Sequence, residues 1–198
     1  MSSPSRPRIG MTFGRSDRIV TSVLLWALVG VSAAYALFIS VDWALRRQVT
    51  LTGVLVDVPD DAAGTGRVVS TPEVHLLVQD VSAAHFALLL LPTLLMLAAI
   101  VWGAVLLARL LGDLGRGEPF GRSNTARLRI VAVLLIVVPL VVSLLEGIAR
   151  AEILAARDAP QFMFTFTPAW VVAGLLVAAL AQAFATGTRL TADVDGLV

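Results

Sequence analysis

Cysteine and lysine are both absent from this chain of 198 residues. Without cysteine, the protein can hold neither a disulfide framework nor a cysteine-containing zinc site. Charge is also scarce, since 15% of the residues are charged and a typical soluble domain has about 25%. The net charge is +1, which excludes the strongly basic surface that direct nucleic-acid binding requires.

Apolar residues take the place of the missing charges. They make up 58% of the chain, and the mean hydropathy is +0.88. A soluble domain is usually about 45–50% apolar, so the excess must be hidden from water, and a lipid bilayer is the natural solvent for it. The length permits one domain. The sequence therefore predicts an all-α integral membrane protein built as a four-transmembrane-helix bundle.

Four apolar segments are long enough to cross a bilayer, which takes about 20 helical residues. The predicted transmembrane helices cover residues 19–45, 83–111, 128–149 and 166–187. The predicted segments between and beyond them are a tail at 1–18, an insert at 46–82, a loop at 112–127, a loop at 150–165 and a tail at 188–198. A cleaved signal peptide ending near Ala36 is the weaker alternative for the first span, because the apolar run continues past that residue.

The insert at 46–82 has the pattern of strands. QVTLTGVLVDV and EVHLLVQDV are rich in β-branched and apolar residues, and a turn containing Pro, Gly and Asp separates them. We therefore expect a small β-hairpin. Because a two-stranded hairpin alone is only marginally stable, it should rest on the helix ends or on a partner.

Arginine placement predicts the orientation in the membrane. Ten of the 15 arginines lie in the two tails or in and beside the 112–127 loop, and five lie in the insert and the 150–165 loop. Basic residues close to span ends favour the cytoplasmic side. Both termini are therefore expected in the cytoplasm of a cell-membrane protein, with the insert outside. Trp43 and Trp170 fall near the outer span ends, where indoles prefer the interface.

The segment DLGRGEPFGRSNTARLR, residues 113–129, is the strongest candidate for a binding site. Its glycines and proline interrupt a helix, Ser123 or Asn124 is positioned to cap the next one, and Phe120 is expected to pack back into the bundle. It is not a phosphate-binding loop, because it has no Lys and no strand precedes it. An ordinary loop anchored by arginines at lipid phosphates is one reading, and a docking surface for a cytoplasmic partner is the other.

The C-terminal segment QAFATGTRLTADVDGLV mixes charged and apolar residues, so we expect it either to pack against the Phe120 loop or to contact a partner. The predicted partner-binding residues of the two segments are Gly117, Pro119, Phe120, Arg122, Asn124, Arg127, Arg129, Arg189, Asp193 and Asp195.

Small residues at helical spacing mark one face of the fourth span and one of the first. In the fourth span they are Gly174, Ala178 and Ala185, with Gln182 on the same face. In the first span they are Gly30 and Ala34. Small residues let transmembrane helices approach closely, and an amide side chain can bond across such a contact. Helix packing is the expected role.

Ionisable groups near the spans carry a second hypothesis. Asp42 and Glu146 lie near the predicted outer ends of their spans, and Arg150 follows Glu146 by one turn, so we expect the last two to pair. An ordinary role at a helix end is favoured, and a proton or cation relay is the alternative.

Catalysis and metal binding have little support. Glu73 and His75 would share a face of a strand, but with His85 as the only other histidine they make a poor zinc set. No HExxH or GxSxG pattern occurs. We expect no enzyme activity, no cofactor and no metal.

Two motifs carry a family resemblance. The first is G-x-P-F followed by N and L-R, at Gly117, Pro119, Phe120, Asn124, Leu128 and Arg129. The second is L-A-x-x-F-x-x-G-x-x-L-x-x-D-x-D, at Leu180, Ala181, Phe184, Gly187, Leu190, Asp193 and Asp195. Over residues 105–198 the chain resembles a bacterial family of four-span membrane proteins of unknown function. Their genes often lie next to one for a small Cro/C1-type helix-turn-helix regulator. The family's usual D-L-T-V/I ending reads Asp195-Gly196-Leu197-Val198 here.

The resemblance implies a regulatory partner. The function expected is that of a non-enzymatic multi-pass membrane protein that holds a small cytoplasmic DNA-binding regulator, for signalling or sequestration. A small transporter or permeability factor is the alternative, although the spans offer few polar residues beyond Ser32, Thr93, Ser143 and Gln182. An accessory subunit of a larger membrane complex and a homo-oligomer also stay open.

Overall fold

The computed structural model describes residues 15–55, 73–116, 122–157 and 162–195. Within these ranges the elements in chain order are α1 (Arg15–Arg46), β1 (Val49–Leu55), β2 (Glu73–Val78), α2 (Ala83–Gly115), α3 (Arg122–Ala155) and α4 (Pro168–Asp195). Each of the four helices contains an apolar segment long enough to cross a membrane. The prediction of four spanning-length helices with a small β-hairpin between the first two is therefore confirmed.

Each helix is longer than the span predicted for it. α1 begins inside the predicted 1–18 tail, α2 and α3 both extend into the predicted 112–127 loop, and α4 continues into the predicted 188–198 tail. A helix of 34 residues, such as α3, is about 51 Å long, whereas the hydrocarbon core is about 30 Å thick. Hydropathy marks only the part of a helix that suits lipid, so polar turns at the ends escape it.

The helices pack in chain order, with α1 on α2, α2 on α3 and α3 on α4. The last pair is antiparallel, since Gly147 of α3 lies against Met163 and Gly174 of α4 lies against Ile136. A Cβ atom added to Gly174 would lie 3.0 Å from the carbonyl oxygen of Ala132 and would also meet Ile136. Gly174 therefore permits the close approach of α3 and α4.

The predicted small-residue face of α4 is correct at Gly174 and wrong at Gln182. Gly174 is buried, Ala181 is 1% exposed, and Gln182 is exposed. The main-chain carbonyl of Gln182 accepts a hydrogen bond from the Thr186 hydroxyl of the same helix at 3.2 Å. The expectation that the Gln182 amide lies within the helix contact is wrong. Successive residues turn by 100° around a helix, so burial of Ala181 turns Gln182 outward.

Helix α1 is the least enclosed of the four. Its large apolar side chains are mostly exposed, as at Leu24, Val31 and Phe38. Gly30 has no neighbouring atom within 4 Å of where a Cβ would stand, and Ala34 is exposed. The expected packing role of these two small residues is therefore absent within the described part of one chain, and this face of α1 suits contact with lipid.

The hairpin is antiparallel, with Val49 opposite Val78 and Leu51 opposite Leu76. The register shifts between Leu51 and Val54, where the pairing is irregular. Residues 56–72, which connect the strands, lie outside the described residues.

An apolar cluster joins the hairpin to the ends of the helices. Its buried members are Leu51, Val78, Val81, Phe86, Ile153 and Leu154. The ring of Trp43 stacks on that of Phe86 with centroids 4.3 Å apart, and its indole N–H donates to the Val81 carbonyl at 3.2 Å. The hairpin therefore rests on the helix ends, which is one of the two alternatives predicted from the sequence. Trp43 contributes to that contact.

Candidate functional site

The turn between α2 and α3, at the end of the bundle opposite the hairpin, contains a network of charged and polar side chains. Asp113, near the end of α2, accepts a hydrogen bond from Arg116 on one carboxylate oxygen and one from Arg127 of α3 on the other. Arg127 also donates to the Oδ1 atom of Asn124 at 2.9 Å. The network therefore joins the last turn of α2 to the first turns of α3.

Burial differs among the members of this network. Asn124 is fully buried and Asp113 is 9% exposed, while the side chain of Arg127 is 23% exposed and that of Arg116 is 67% exposed. Hydrogen bonds between charged groups are stronger than neutral ones. Removal of one partner leaves the others with unmet bonds, which is more costly than the net value of the bond itself. We therefore infer that the network holds the end of α2 against the start of α3.

The predicted partner-binding residues divide into three groups. Asn124 and Arg127 face the network inside the protein, whereas Arg129 is exposed. For four others the backbone lies in α3 or α4 but the side chains are outside the description: Arg122, Arg189, Asp193 and Asp195. Gly117, Pro119 and Phe120 lie outside the described residues, and so does the expected packing of Phe120.

The expected cap of α3 is wrong. The helix begins at Arg122, so Ser123 and Asn124 lie within its first turn. The Asn124 side chain instead accepts a bond from Arg127 one turn later. The prediction placed the helix start too late because it followed the apolar run, which begins only at Leu128.

Two members of the network, Asp113 and Arg116, were not among the residues predicted from the sequence. Both stood in a segment predicted as a loop, so the spacing between them had no meaning there. On a helix, three residues bring Asp113 and Arg116 to the same face, and the same spacing relates Asn124 to Arg127. These two i, i+3 pairs were the signal that could have revealed the site.

The antiparallel register brings the end of α4 to the same end of the molecule. Gly174 faces Ala132, so Arg122, about three turns earlier in α3, is level with the residues about three turns after Gly174. The α4 backbone from Arg189 to Asp195 therefore lies at the end that carries the α2–α3 turn.

A second polar region lies between α1, α2 and α3. Two clefts of about 370 Å³ and about 410 Å³ share Tyr35, Thr93 and Glu146 among their lining residues. Residues 48–51, at the start of the hairpin, line the second cleft. We call this cleft, which is nearer the hairpin, the outer cleft, and we call the cleft of about 370 Å³ the inner cleft. A third cleft of about 210 Å³, between α2, α3 and α4, also includes Glu146.

The charged groups of this region form i, i+4 pairs. Glu146 lies 3.8 Å from Arg150, as the sequence predicts, and Asp42 lies 3.0 Å from Arg46. The side chain of Glu146 is 43% exposed and that of Asp42 is 39% exposed. Both acids therefore line open space while they keep a basic neighbour on their own helix.

The polar span residues named from the sequence do not all share one place. Ser32 and Thr93 line the cleft of about 370 Å³, and Ser143 lines the cleft of about 210 Å³ on the other side of α3. Gln182 is exposed. These four residues therefore do not form one polar pathway through the bundle.

Histidine has a local role at one position. The backbone N–H of His85 donates to the Ser82 hydroxyl at 3.3 Å, which caps α2, and the ring Nδ1 lies 3.0 Å from the same oxygen. His75 is exposed. Among the described residues, no three histidine or acidic side chains gather in a group that could hold a metal ion.

Four helices of spanning length and an exterior rich in large apolar side chains define a multi-pass membrane protein. No family model, curated protein or solved structure matches the chain. The function is therefore a proposal, which rests on the residues of the chain and on the resemblance of its motifs to the four-span family.

Proposed function

We propose that the protein is a non-enzymatic membrane anchor for a small cytoplasmic transcription regulator of the helix-turn-helix type. The docking surface would be the α2–α3 turn together with the end of α4, and both would face the cytoplasm, as the arginine distribution indicates. The resemblance of residues 105–198 to the four-span family supports this choice of partner.

The observation that carries the proposal is the Asp113 network. Helix ends that are already joined to each other lose little conformational freedom on binding, so more of the contact energy appears as affinity. Asp113 and Asn124 engage Arg127 where the end of α2 meets the start of α3, while Arg109 and Arg129 are exposed nearby on α2 and α3. Joined helix ends flanked by exposed guanidinium groups suit an acidic patch on a partner.

Capture from the native host tests the proposal. The tagged full-length protein is extracted in mild detergent, and the proteins retained are identified by mass spectrometry. We expect a small DNA-binding protein that is retained by the unaltered chain and lost with Arg129→Glu. Arg46→Glu reverses an exposed arginine at the opposite end of the bundle and should retain it. Absence of any DNA-binding protein, or equal loss in the two variants, would contradict the proposal.

A small transporter is the second candidate, and the clefts around Glu146 favour it. Those clefts lie on both sides of α3, but the polar span residues do not connect them into one path. Solute flux into sealed vesicles containing the purified chain is the direct measurement. Flux that depends on Glu146 would support the transporter, and flux no greater than in protein-free vesicles would exclude it for the solutes tried.

A further inference from the structure

We propose that the two clefts between α1 and α3 form a binding site for a hydrophobic cation, meaning an apolar body that carries one ammonium group, with Glu146 as the counter-ion. The site is separate from the proposed docking surface and does not depend on it. A free amphiphilic amine and a lipid with an ammonium headgroup share this chemistry.

The packing of the helices creates the site. α1 packs on α2, and α3 also packs on α2. Tyr35 of α1, Thr93 of α2 and Glu146 of α3 all line both clefts, so the two spaces meet at these three side chains. The site is therefore a groove over α2 that is bounded by α1 and α3.

The groove changes in polarity along its length. At the hairpin end its lining includes Asp42, Gln48 and Arg150. In the other direction the walls are mainly aliphatic, with Leu97 and Ile100 among them. A polar mouth that leads to an apolar interior matches an amphiphile whose charged group stays near the mouth and whose apolar part enters the groove.

The charges of the lining favour a cation. Among the described residues, the ion pair of Glu146 is the one with Arg150, at 3.8 Å, which is too long for a hydrogen bond. Asp42 is closer to its own neighbour Arg46, at 3.0 Å. Two acids and one arginine line the outer cleft, and Glu146 is the one charged residue lining the inner cleft. The lining of each cleft therefore contains one more acid than arginine, and the ion pairs with Arg46 and Arg150 offset part of that charge.

The level of Glu146 along α3 suits the charged group of an amphiphile. It lies nine residues before Ala155, the end of α3, which is about 13 Å along the helix axis. Because α3 is about 51 Å long and the hydrocarbon core is about 30 Å thick, this level is close to the surface of the core, where the headgroup of an amphiphile lies. The ring of Tyr35 beside it adds an aromatic face, which attracts organic cations.

Equilibrium binding of a matched pair of probes tests the site. The purified full-length chain is placed in nanodiscs of diglucosyl diacylglycerol, a neutral lipid without an ammonium group, and radiolabelled decyltrimethylammonium is titrated, with empty nanodiscs as the blank. Decyl sulfate, which has the same chain and the opposite charge, serves as the control ligand. We expect saturable binding of the cation and no binding of the anion above the blank.

Variants of three kinds locate the binding. Glu146→Gln should weaken binding of the cation by about tenfold or more, because a charge-assisted contact of about 1.4 kcal/mol corresponds to that factor. Glu146→Asp keeps the charge and should retain most of the affinity. Glu152→Gln removes an exposed acid of the same helix that lines neither cleft, and it should bind as the unaltered chain does. Size-exclusion profiles and melting temperatures show whether each variant is folded.

The outcomes separate the sources of the ligand and can reject the site. Loss of probe binding when phosphatidylethanolamine replaces part of the glycolipid would identify the lipid ammonium group as the natural occupant. Undiminished binding in both lipids would favour a free amine. Equal affinity of Glu146→Gln and Glu152→Gln, or equal binding of the cation and the anion, would overturn the proposal. None of these results depends on whether a regulator docks at the α2–α3 turn.

Discussion

The two ends of the helical bundle are held together by different kinds of interaction. At the hairpin end, aliphatic and aromatic side chains around Ile153 and Phe86 exclude water from the contact of two strands with three helices. At the other end, a carboxylate and two guanidinium groups join α2 to α3 around Asp113. One end depends on buried apolar area and the other on directed bonds between charges.

This difference has consequences for how each end responds to change. Apolar burial has no preferred direction and involves no charges that salt can screen, whereas partly exposed ion pairs are screened as the ionic strength rises. The apolar end is therefore suited to a permanent role in the fold. The ionic end can be loosened by a single substitution or by salt without loss of the hydrophobic contacts elsewhere.

The largest expected effect is at the apolar end. Ile153 is fully buried, so Ile153→Ala should lower the free energy of unfolding by about 2–5 kcal/mol through lost burial and the cavity left behind. Ile130→Ala, on the same helix but 40% exposed, is the control and should cost much less. Unfolding in mixed micelles with increasing denaturing detergent gives both values. A similar cost at the two positions would remove the distinction between core and lipid-facing surface.

A smaller effect is expected in the middle of the bundle, between the two ends. Gly174→Leu forces a side chain into Ile136 and the Ala132 carbonyl, and overpacking of this kind costs about 1–3 kcal/mol. Gly103→Leu is the control, because no atom lies within 4 Å of the Cβ position there. The same detergent titration applies. A Gly174 variant as stable as the Gly103 variant would show that α3 and α4 are not in close contact.

The smallest effect on stability is expected at the ionic end, where salt should reveal it. Asp113→Asn removes the charge that both Arg116 and Arg127 bind, so the melting temperature should fall at low salt. The difference from the unaltered chain should shrink in high salt. Asp42→Asn, which breaks an exposed pair with Arg46, should have little effect, since exposed pairs contribute about 0–1 kcal/mol. A loss for Asp113→Asn that is independent of salt would contradict the ionic account of this end.

The sequence predicts the parts of the fold that depend on composition and periodicity. Long apolar runs predict helices of spanning length, and the β-branched pattern of residues 49–55 and 73–78 predicts the hairpin. The Glu146–Arg150 pair follows from helical spacing alone. Each of these features is local, because the residues that determine it are neighbours in the chain.

Features that depend on the relative positions of helices could not be predicted. The bond between Asp113 and Arg127 crosses from one helix to the next, and the rotation that buries Ala181 instead of Gln182 depends on how α4 packs against α3. The groove around Glu146 exists only because α1 and α3 pack on the same helix. Hydropathy also underestimates the lengths of the helices, and this concealed the helical spacing of Asp113 and Arg116.

Labelling of single cysteines tests the central claim that the chain crosses the membrane between the hairpin and the α2–α3 turn. Because the chain has no cysteine, His75→Cys in the hairpin and Ala126→Cys near the turn, both at exposed positions, each introduce one reactive thiol. With a membrane-impermeant maleimide on intact cells, His75→Cys should label readily, and Ala126→Cys should label only in inverted vesicles. If both thiols react from the same side of the membrane, the account is contradicted.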